Sequence, residues 1–372
     1  MSDVLRLTQD LVRIDSRSAT SSRLICERLA DALTGWELEF VDYVDGDGVD
    51  KRNIVARRGR GCGVAFAGHL DTVPDAAWQR NPYAPDVHDG ILYGLGTSDM
   101  KGAVAASIVA LSALPQDEPA MLLLTSDEES TKRGVRELVA RSELVRAFPP
   151  KAIIIGEPTC LQPIRGHRAD VQFVAHARGV QAHSSLAEGR NANIALIPFL
   201  ADMRELHLKL RTDAAFQDLA YDPTWCDLNI IVDNYGTAPN TTVGQATCRM
   251  KLRYSKSIDP APIVDAVTRA AQRHGLELEI RPEASPPELA TTHPLVGLVE
   301  RIAGRTAGVA ALGTEASEYK KVAPPLIIGP GYIEHAHKPT EHIRVADLEA
   351  SVGLYSTIAI EINRTDLTEN AR

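Results

Sequence analysis

Two imidazoles and a set of carboxylates recur along this chain at the points where apolar runs or glycine-rich turns stop. His69 and Asp71 close the run Val64-Ala65-Phe66-Ala67-Gly68, and Asp99 follows the turn Gly94-Leu95-Gly96. Asp127-Glu128-Glu129 follows Met121-Leu122-Leu123-Leu124, Glu157 follows Ile153-Ile154-Ile155, and His337 follows Gly329-Pro330-Gly331. An open α/β sheet brings the carboxyl ends of its strands to one edge, where ligands bind. Imidazole and carboxylate donors gathered there suit two zinc-like cations. Two cations sharing a bridging carboxylate generate hydroxide at neutral pH, polarise a carbonyl and stabilise a tetrahedral oxyanion. A free glutamate beside them can take a proton from water and return it to a leaving amine. The residue types therefore point to metal-dependent hydrolysis.

Taken singly, each group has a plainer explanation. If their strand continues, His69 and Asp71 share a face, and Asp71 can orient the imidazole by accepting its second ring N–H. They can equally be a strand end and its turn cap. Asp99 can cap the helix that follows it. Its Gly-x-Gly neighbourhood lacks the Gly-Lys-Ser/Thr ending of a phosphate loop. Three consecutive acids repel one another unless cations neutralise them. In His335-Ala336-His337 either imidazole can be a ligand, and spacing does not choose. Cys160, near Glu157, reads as a small apolar side chain before it reads as a nucleophile.

The elements that must position these groups follow from periodicity. Apolar residues at helical spacing mark helices over 3–14, 22–34, 100–114 and 131–142. Strand-like runs fall at 37–43, 53–57, 63–67, 121–125 and 152–155, and the apolar 121–125 and 152–155 suit central strands buried on both faces. Strands alternating with helices imply an α/β fold, a mostly parallel sheet with helices on both faces. The middle differs: strand 171–178, helix 190–210, strands 226–234 and 246–254, helix 260–273 and strand 276–281. That β-α-β-β-α-β order predicts an inserted α+β, ferredoxin-like domain with an antiparallel sheet. Because His337 comes after it, the catalytic domain is discontinuous, over 1–167 and 283–372, with the insertion at 168–282.

The chain has 372 residues, 44% of them hydrophobic, a size that suits two domains and a large core. Acidic residues outnumber basic ones, 49 to 40, for a net charge of −9, and no Lys/Arg-rich run stands out, which argues against a nucleic-acid partner. Five scattered cysteines without a CxxC pair suit a reducing compartment. Neither a signal-like N-terminus nor an apolar stretch of spanning length is visible, so the expectation is a cytoplasmic protein without a membrane partner.

The motifs Gly68-His69-Leu70-Asp71-Thr72-Val73-Pro74, Tyr93-Gly94-Leu95-Gly96-Thr97-Ser98-Asp99-Met100-Lys101-Gly102, Asp127-Glu128-Glu129, Gly156-Glu157-Pro158-Thr159 and Ala336-His337-Lys338-Pro339 resemble those of peptidase family M20, the aminoacylase and acetylornithine deacetylase metallohydrolases. The likeness runs from about residue 5 to 365 and includes the inserted domain as a lid. It implies one metal held by His69, Asp99 and Glu157 and a second by Asp99, Glu129 and His337, so that His337 is chosen over His335. Zn²⁺ is the implied ion, two per subunit, with Co²⁺ as a substitute. Glu128 becomes the general base and later acid, acting on a metal-bound water, and Asp71 the support of His69. A cis peptide after Asp99 is implied as well. His183, within Ala182-His183-Ser184, is expected to help hold the oxyanion in the other subunit of a homodimer formed through the lid. Asn240 and Arg253 are expected to hold the substrate carboxylate, a role that suits the guanidinium fork. Relatives more often carry Asp where Glu315 stands in Gly313-Thr314-Glu315-Ala316. Lys251-Leu252-Arg253 departs from the usual Asp-Ile-Arg, and His167-Arg168-Ala169-Asp170 from a glycine-containing turn. The implied substrate is a small N-acyl amino acid, N-acetylornithine before N-acetylcitrulline, N-succinyl-diaminopimelate or a dipeptide. A non-catalytic metal-binding protein of the same fold is the rival class, against which Glu128 argues, since binding alone does not need that acid.

Overall fold

The computed structural model describes residues 1–282 and 284–367. Glu283, where the second stretch of the catalytic domain was expected to begin, and the last five residues assigned to that domain lie outside the described residues. The chain separates into two compact units. One comprises Met1–Gly166, Glu288–Gly308 and Thr314–Arg372; the other comprises His167–Pro287 and Val309–Gly313.

The strands of the first part of the chain are β1 (Glu37–Val44), β2 (Asp50–Arg58), β3 (Val64–His69), β4 (Asp86–His88), β5 (Ile91–Tyr93), β6 (Ala120–Thr125), β7 (Ala152–Ile155) and β8 (Ile164–His167). Then come β9 (Ala169–Arg178), β10 (Asp227–Asp233), β11 (Gln245–Tyr254) and β12 (Glu277–Pro282), followed by β13 (Gly308–Ala310), β14 (Pro325–Ile327) and β15 (His342–Arg344). The large sheet runs β1-β2-β6-β3-β7-β14-β8-β13. Its centre, β6-β3-β7-β14, is parallel, whereas β1-β2, β2-β6 and β14-β8 pair antiparallel. Every residue of β3, β6 and β7 is buried, as a parallel centre covered on both faces requires. Ile54, Val64, Phe66, Leu122, Leu124 and Ile154 share one core cluster with the helices Asp3–Val12, Arg23–Ala32, Lys101–Ser112, Pro294–Ala303 and Val345–Arg364. The alternate residues Val55, Ala65, Leu123 and Ile153 are buried too but fall outside that cluster, on the opposite face.

This parallel centre does the positioning. β3, β6 and β7 run the same way, and His69 stands level with Thr125. The segments after all three strands therefore leave from one edge. Asp71 is one correction at element level: β3 ends at His69, so Asp71 lies beyond the strand and the shared-face argument for the pair does not apply.

The second unit has the strand order β10-β11-β9-β12, antiparallel throughout. Helices Asn193–Thr212 and Ala261–Arg273 contribute Leu196, Phe199, Met203, Ile263 and Val267 to a core of its own with Phe173, Cys248, Met250 and Leu252. On β11 the even-numbered residues are buried, and Arg249, Lys251 and Arg253 occupy the other face, where Thr247 is buried as well.

Candidate metal centre

The sheet edge gathers the five expected donors into two overlapping groups. His69, Asp99 and Glu157 offer ligand atoms that all lie within 4.8 Å of one another, and so do Asp99, Glu129 and His337. Asp99 belongs to both. His69 Nε2 stands 3.0 Å from Asp99 Oδ1, and His337 Nε2 stands 3.3 Å from Asp99 Oδ2 and 2.9 Å from Glu129 Oε1. Both imidazoles thus present Nε2 to the carboxylates. His69 Nδ1 lies 3.0 Å from the Asp71 carbonyl oxygen; with the proton there, donating to that oxygen, Nε2 is left as a lone-pair donor.

The expected roles distribute somewhat differently around Asp71. Its carboxylate is 3.7 Å from His69 Nδ1, so its backbone carbonyl, and not its side chain, is the nearer partner of the ring. The carboxylate instead accepts the backbone N–H groups of Glu128 and Glu129, each at 3.1 Å, and the Ser18 hydroxyl at 2.7 Å. Asp71 therefore orients the turn that carries both glutamates. Glu128 is outside both donor groups, with Lys132 Nζ 3.8 Å from its carboxylate.

The electrostatics are those of a site with too much negative charge. Burial raises Glu157 well above the ordinary carboxylate range, and Asp99 adds to it. Burial likewise pushes Glu128 up to about 7, against the pull of Lys132 and His69. His337 is raised to about 10 by hydrogen bonds to Asp99 and Glu129. Burial opposes ionisation of Asp99, but His337 and His69 outweigh it and hold the carboxyl below its ordinary range. Two imidazoles and three carboxylates in this arrangement are the donor set of hard-to-borderline divalent cations, and cations would relieve the carboxylate repulsion. The residues fit such ions.

A buried support, not anticipated from sequence, lies behind the two-glutamate turn. Asp127 has a positive φ of 66°, and its carbonyl accepts N–H groups from Thr131 and Lys132. Its carboxylate takes the Tyr43 hydroxyl at 2.7 Å and lies 3.0 Å from Lys51 Nζ. Lys51 also donates to the carbonyls of Ser18 and Thr20. Lys51 stands between two charged neighbours, Asp50 and Arg52, yet it is 1% exposed. Glu315 is buried and accepts the Thr125 hydroxyl at 2.7 Å. Burial, then Glu128, pushes Glu315 up to about 8. Glu341, missed altogether, accepts three backbone N–H groups from Gly96, Ser98 and Asp99. The Asp99–Met100 peptide bond is cis.

The second unit carries the remaining candidates. His183 is exposed, its Nδ1 2.7 Å from the Ser185 hydroxyl, and it forms a bridge with Thr241. The Asn240 carbonyl accepts the Ser184 N–H, which makes His183 and Asn240 neighbours in one loop cluster. Arg253 sits on β11 opposite Asp227 and Asp170, on the face turned away from that unit's core. His335 is not among the clustered donors; its ring stacks on His342 with centroids 3.9 Å apart.

A family model described as "Peptidase family M20/M25/M40" matches residues 65–361. An acetylornithine deacetylase of Yersinia pseudotuberculosis is 32% identical over 371 residues, covering 93% of this chain and 94% of the relative. Among solved structures, an M20 family metallo-carboxypeptidase from Sulfolobus solfataricus has a TM-score of 0.77 at 16% identity, covering 98% of this chain and 100% of that one. A dinuclear metal binding peptidase from the M20 family of Bacillus subtilis has a TM-score of 0.65 at 14% identity, covering 98% of both chains.

Proposed function

The chain belongs to peptidase family M20/M25/M40 and is a hydrolase of amide bonds, and from that premise we propose that its substrate is a small N-acyl amino acid, first N-acetyl-L-ornithine, cleaved to L-ornithine and acetate in arginine biosynthesis. One observation carries the reading: two donor groups share Asp99 while Glu128 stands beside them outside both. The relatives named acetylornithine deacetylase, matched along almost the whole chain, supply the choice of acyl amino acid.

His69, Asp99 and Glu157 would hold one Zn²⁺, and Asp99, Glu129 and His337 the other, with Co²⁺ an acceptable substitute. Bound there, such cations polarise the scissile carbonyl and lower the pKa of water. The protein's own work is proton handling and aim. Glu128, its side chain 10% exposed and its carboxyl raised to about 7, takes the proton of the attacking water and delivers it to the leaving amine. Asp71 keeps Glu128 in place through its backbone N–H. We assign His183 to the oxyanion and Asn240 and Arg253 to the substrate carboxylate, on the motif alone. We also propose a homodimer through the second unit, where the helix Asn193–Thr212 exposes Ile194 and Ile197 and the edge strand β10 exposes Ile231 and Val232. Among the described residues no helix is long and apolar enough to cross a membrane, and the free thiols suit the cytoplasm we propose as its compartment.

The test is a panel assay of zinc- or cobalt-loaded protein on N-acetylornithine, N-acetylcitrulline, N-succinyl-diaminopimelate and simple N-acetyl amino acids, with a chelator arm. N-acetylornithine turned over fastest, abolished by chelator and recovered with metal, supports the reading. Glu128→Gln is expected to lower kcat by about 10²–10⁴-fold while zinc content stays at the wild-type level. If no N-acyl amino acid is cleaved by wild type that carries zinc, the substrate proposal is overturned.

A further inference from the structure

We infer that Glu341 is a positioning residue that clasps the Asp99 loop to the His337 loop and thereby sets the distance between those two side chains. The inference rests on the metal reading above in one respect, that Asp99 and His337 hold a common cation.

Segment 94–99 has little structure of its own. Gly96 adopts a φ of +82°, and a Cβ there would meet Thr72 and Lys101 side-chain atoms at 2.9 and 3.0 Å, so the turn needs glycine. Leu95 donates its N–H to the Pro82 carbonyl and Thr97 to that of Gly94, and the N–H groups of Gly94, Gly96, Ser98 and Asp99 all go to one residue. Glu341 Oε1 accepts from Ser98 and Asp99, and Oε2 from Gly96, each at 2.9 Å. The Glu341 carbonyl accepts from Gly94 at 3.2 Å. Only a carboxylate offers two oxygens with acceptor capacity and no donor, which is what converging N–H groups require. At 1% exposure no water competes for them.

The same residue terminates the other loop. Glu341 N–H donates to the Lys338 carbonyl at 3.0 Å, closing a turn directly after His337, whose own φ is +59°. Ser98 adds a second tie, its hydroxyl oxygen accepting the Tyr332 N–H at 3.2 Å. Asp99 and His337 are 238 positions apart in sequence yet end 3.3 Å apart, and Glu341 is bonded to the backbone on both sides of that contact. By contrast His69 and Glu157 leave directly from β3 and β7, which the sheet fixes without Glu341.

Glu341→Gln separates the two cases, because the amide keeps one acceptor oxygen and turns an NH₂ group against backbone N–H donors. Metal-free wild type, Glu341→Gln and His337→Ala are titrated with zinc against a chelating dye, His337→Ala identifying the affinity that belongs to the Asp99–Glu129–His337 group. Expected for Glu341→Gln is at least a tenfold weakening of that affinity, a clearly smaller loss in the other group, which shares Asp99 but keeps His69 and Glu157 at the ends of β3 and β7, and recovery of turnover at excess zinc, which a merely unfolded variant would not show. Both affinities unchanged, or both lost alike, overturns the clasp. Should the variant not fold, hydrogen exchange in metal-free wild type decides: the amides of Gly96, Ser98 and Asp99 are expected to exchange at least a hundredfold more slowly than exposed loop amides, and exchange at the loop rate overturns the clasp. Wild type that takes up no zinc ends the metal reading and the clasp together, whereas normal zinc affinities in Glu341→Gln end the clasp alone.

Discussion

Glu128 and Glu129 are neighbours in sequence with the same side chain, and their surroundings separate them. Glu129 meets His337 at 2.9 Å, whereas the Glu128 carboxylate lies 3.8 Å from Lys132 Nζ. A ligand needs its charge committed, while a base needs a proton affinity near the working pH. The environment of His337 has a measurable consequence. Asp99 and Glu129 raise it to about 10, so in the metal-free protein at neutral pH it carries a proton. Ligation displaces that proton, and lower pH therefore opposes zinc. Zinc titrations are expected to show stronger apparent affinity at pH 8 than at pH 6, with proton release measurable by calorimetry in buffers of different ionisation enthalpy. Affinity independent of pH across that range would contradict the assignment of His337 as a ligand.

At the scale of elements, the site depends on loops held by buried polar contacts. Lys51 and Asp127 are 1% and 2% exposed at their side chains and face each other at 3.0 Å. Removing one partner of a buried pair leaves the other charge uncompensated, at about 3–5 kcal/mol. Lys51→Met is thus expected to lower stability by about that amount in denaturant titration, and to slow turnover because Asp127 begins the two-glutamate turn. Stability within about 0.5 kcal/mol of wild type would show that the pair does not support the turn. Gly329 is a second sensitive point. A Cβ there would lie 2.1 Å from the Gly156 carbonyl oxygen and 2.4 Å from that of Glu157. Both obstacles are backbone, so Gly329→Ala must displace the end of β7 or the exit of β14. The expected cost is about 1–3 kcal/mol, accompanied by weaker zinc binding at the group containing Glu157, read by thermal melting and metal titration.

At the scale of the whole molecule, two cores are built from two periodicities. The first unit covers a parallel centre on both faces, and the second backs an antiparallel sheet with two helices. In the second unit Ile194 and Ile197 are 70% and 60% exposed on a helix whose other face is buried. Large apolar side chains left in water on a regular element mark an association surface. Replacing both with glutamate is expected to convert the dimer proposed above to a monomer in sedimentation velocity with the far-UV spectrum unchanged. A dimer that persists would move the interface elsewhere.

The amino-acid sequence determined the order and kind of the main elements up to residue 281, though not of β14 and the helices beyond, because burial on one face or two writes a period of two, a period of 3.6 or an unbroken apolar run into the residues themselves. It also brought forward the candidate donors and the Glu128-Glu129 pair, because each follows an apolar run or a glycine-rich turn, while the family resemblance chose His337 over His335 and gave Glu128 its role. Tertiary structure alone decided which atoms meet. β3 stops at His69 and not at Asp71, so Asp71 turns its carboxylate to the backbone of Glu128 and Glu129. Lys51, Tyr43 and Glu341 carry no sign of their partners in their own segments, and their importance comes from burial beside partners 76, 84 and 242 or more positions away, respectively. Periodicity records only what a residue's own segment buries. A polar contact between distant segments leaves no mark in either one, because its energy depends on a distance that exists only once both segments are folded.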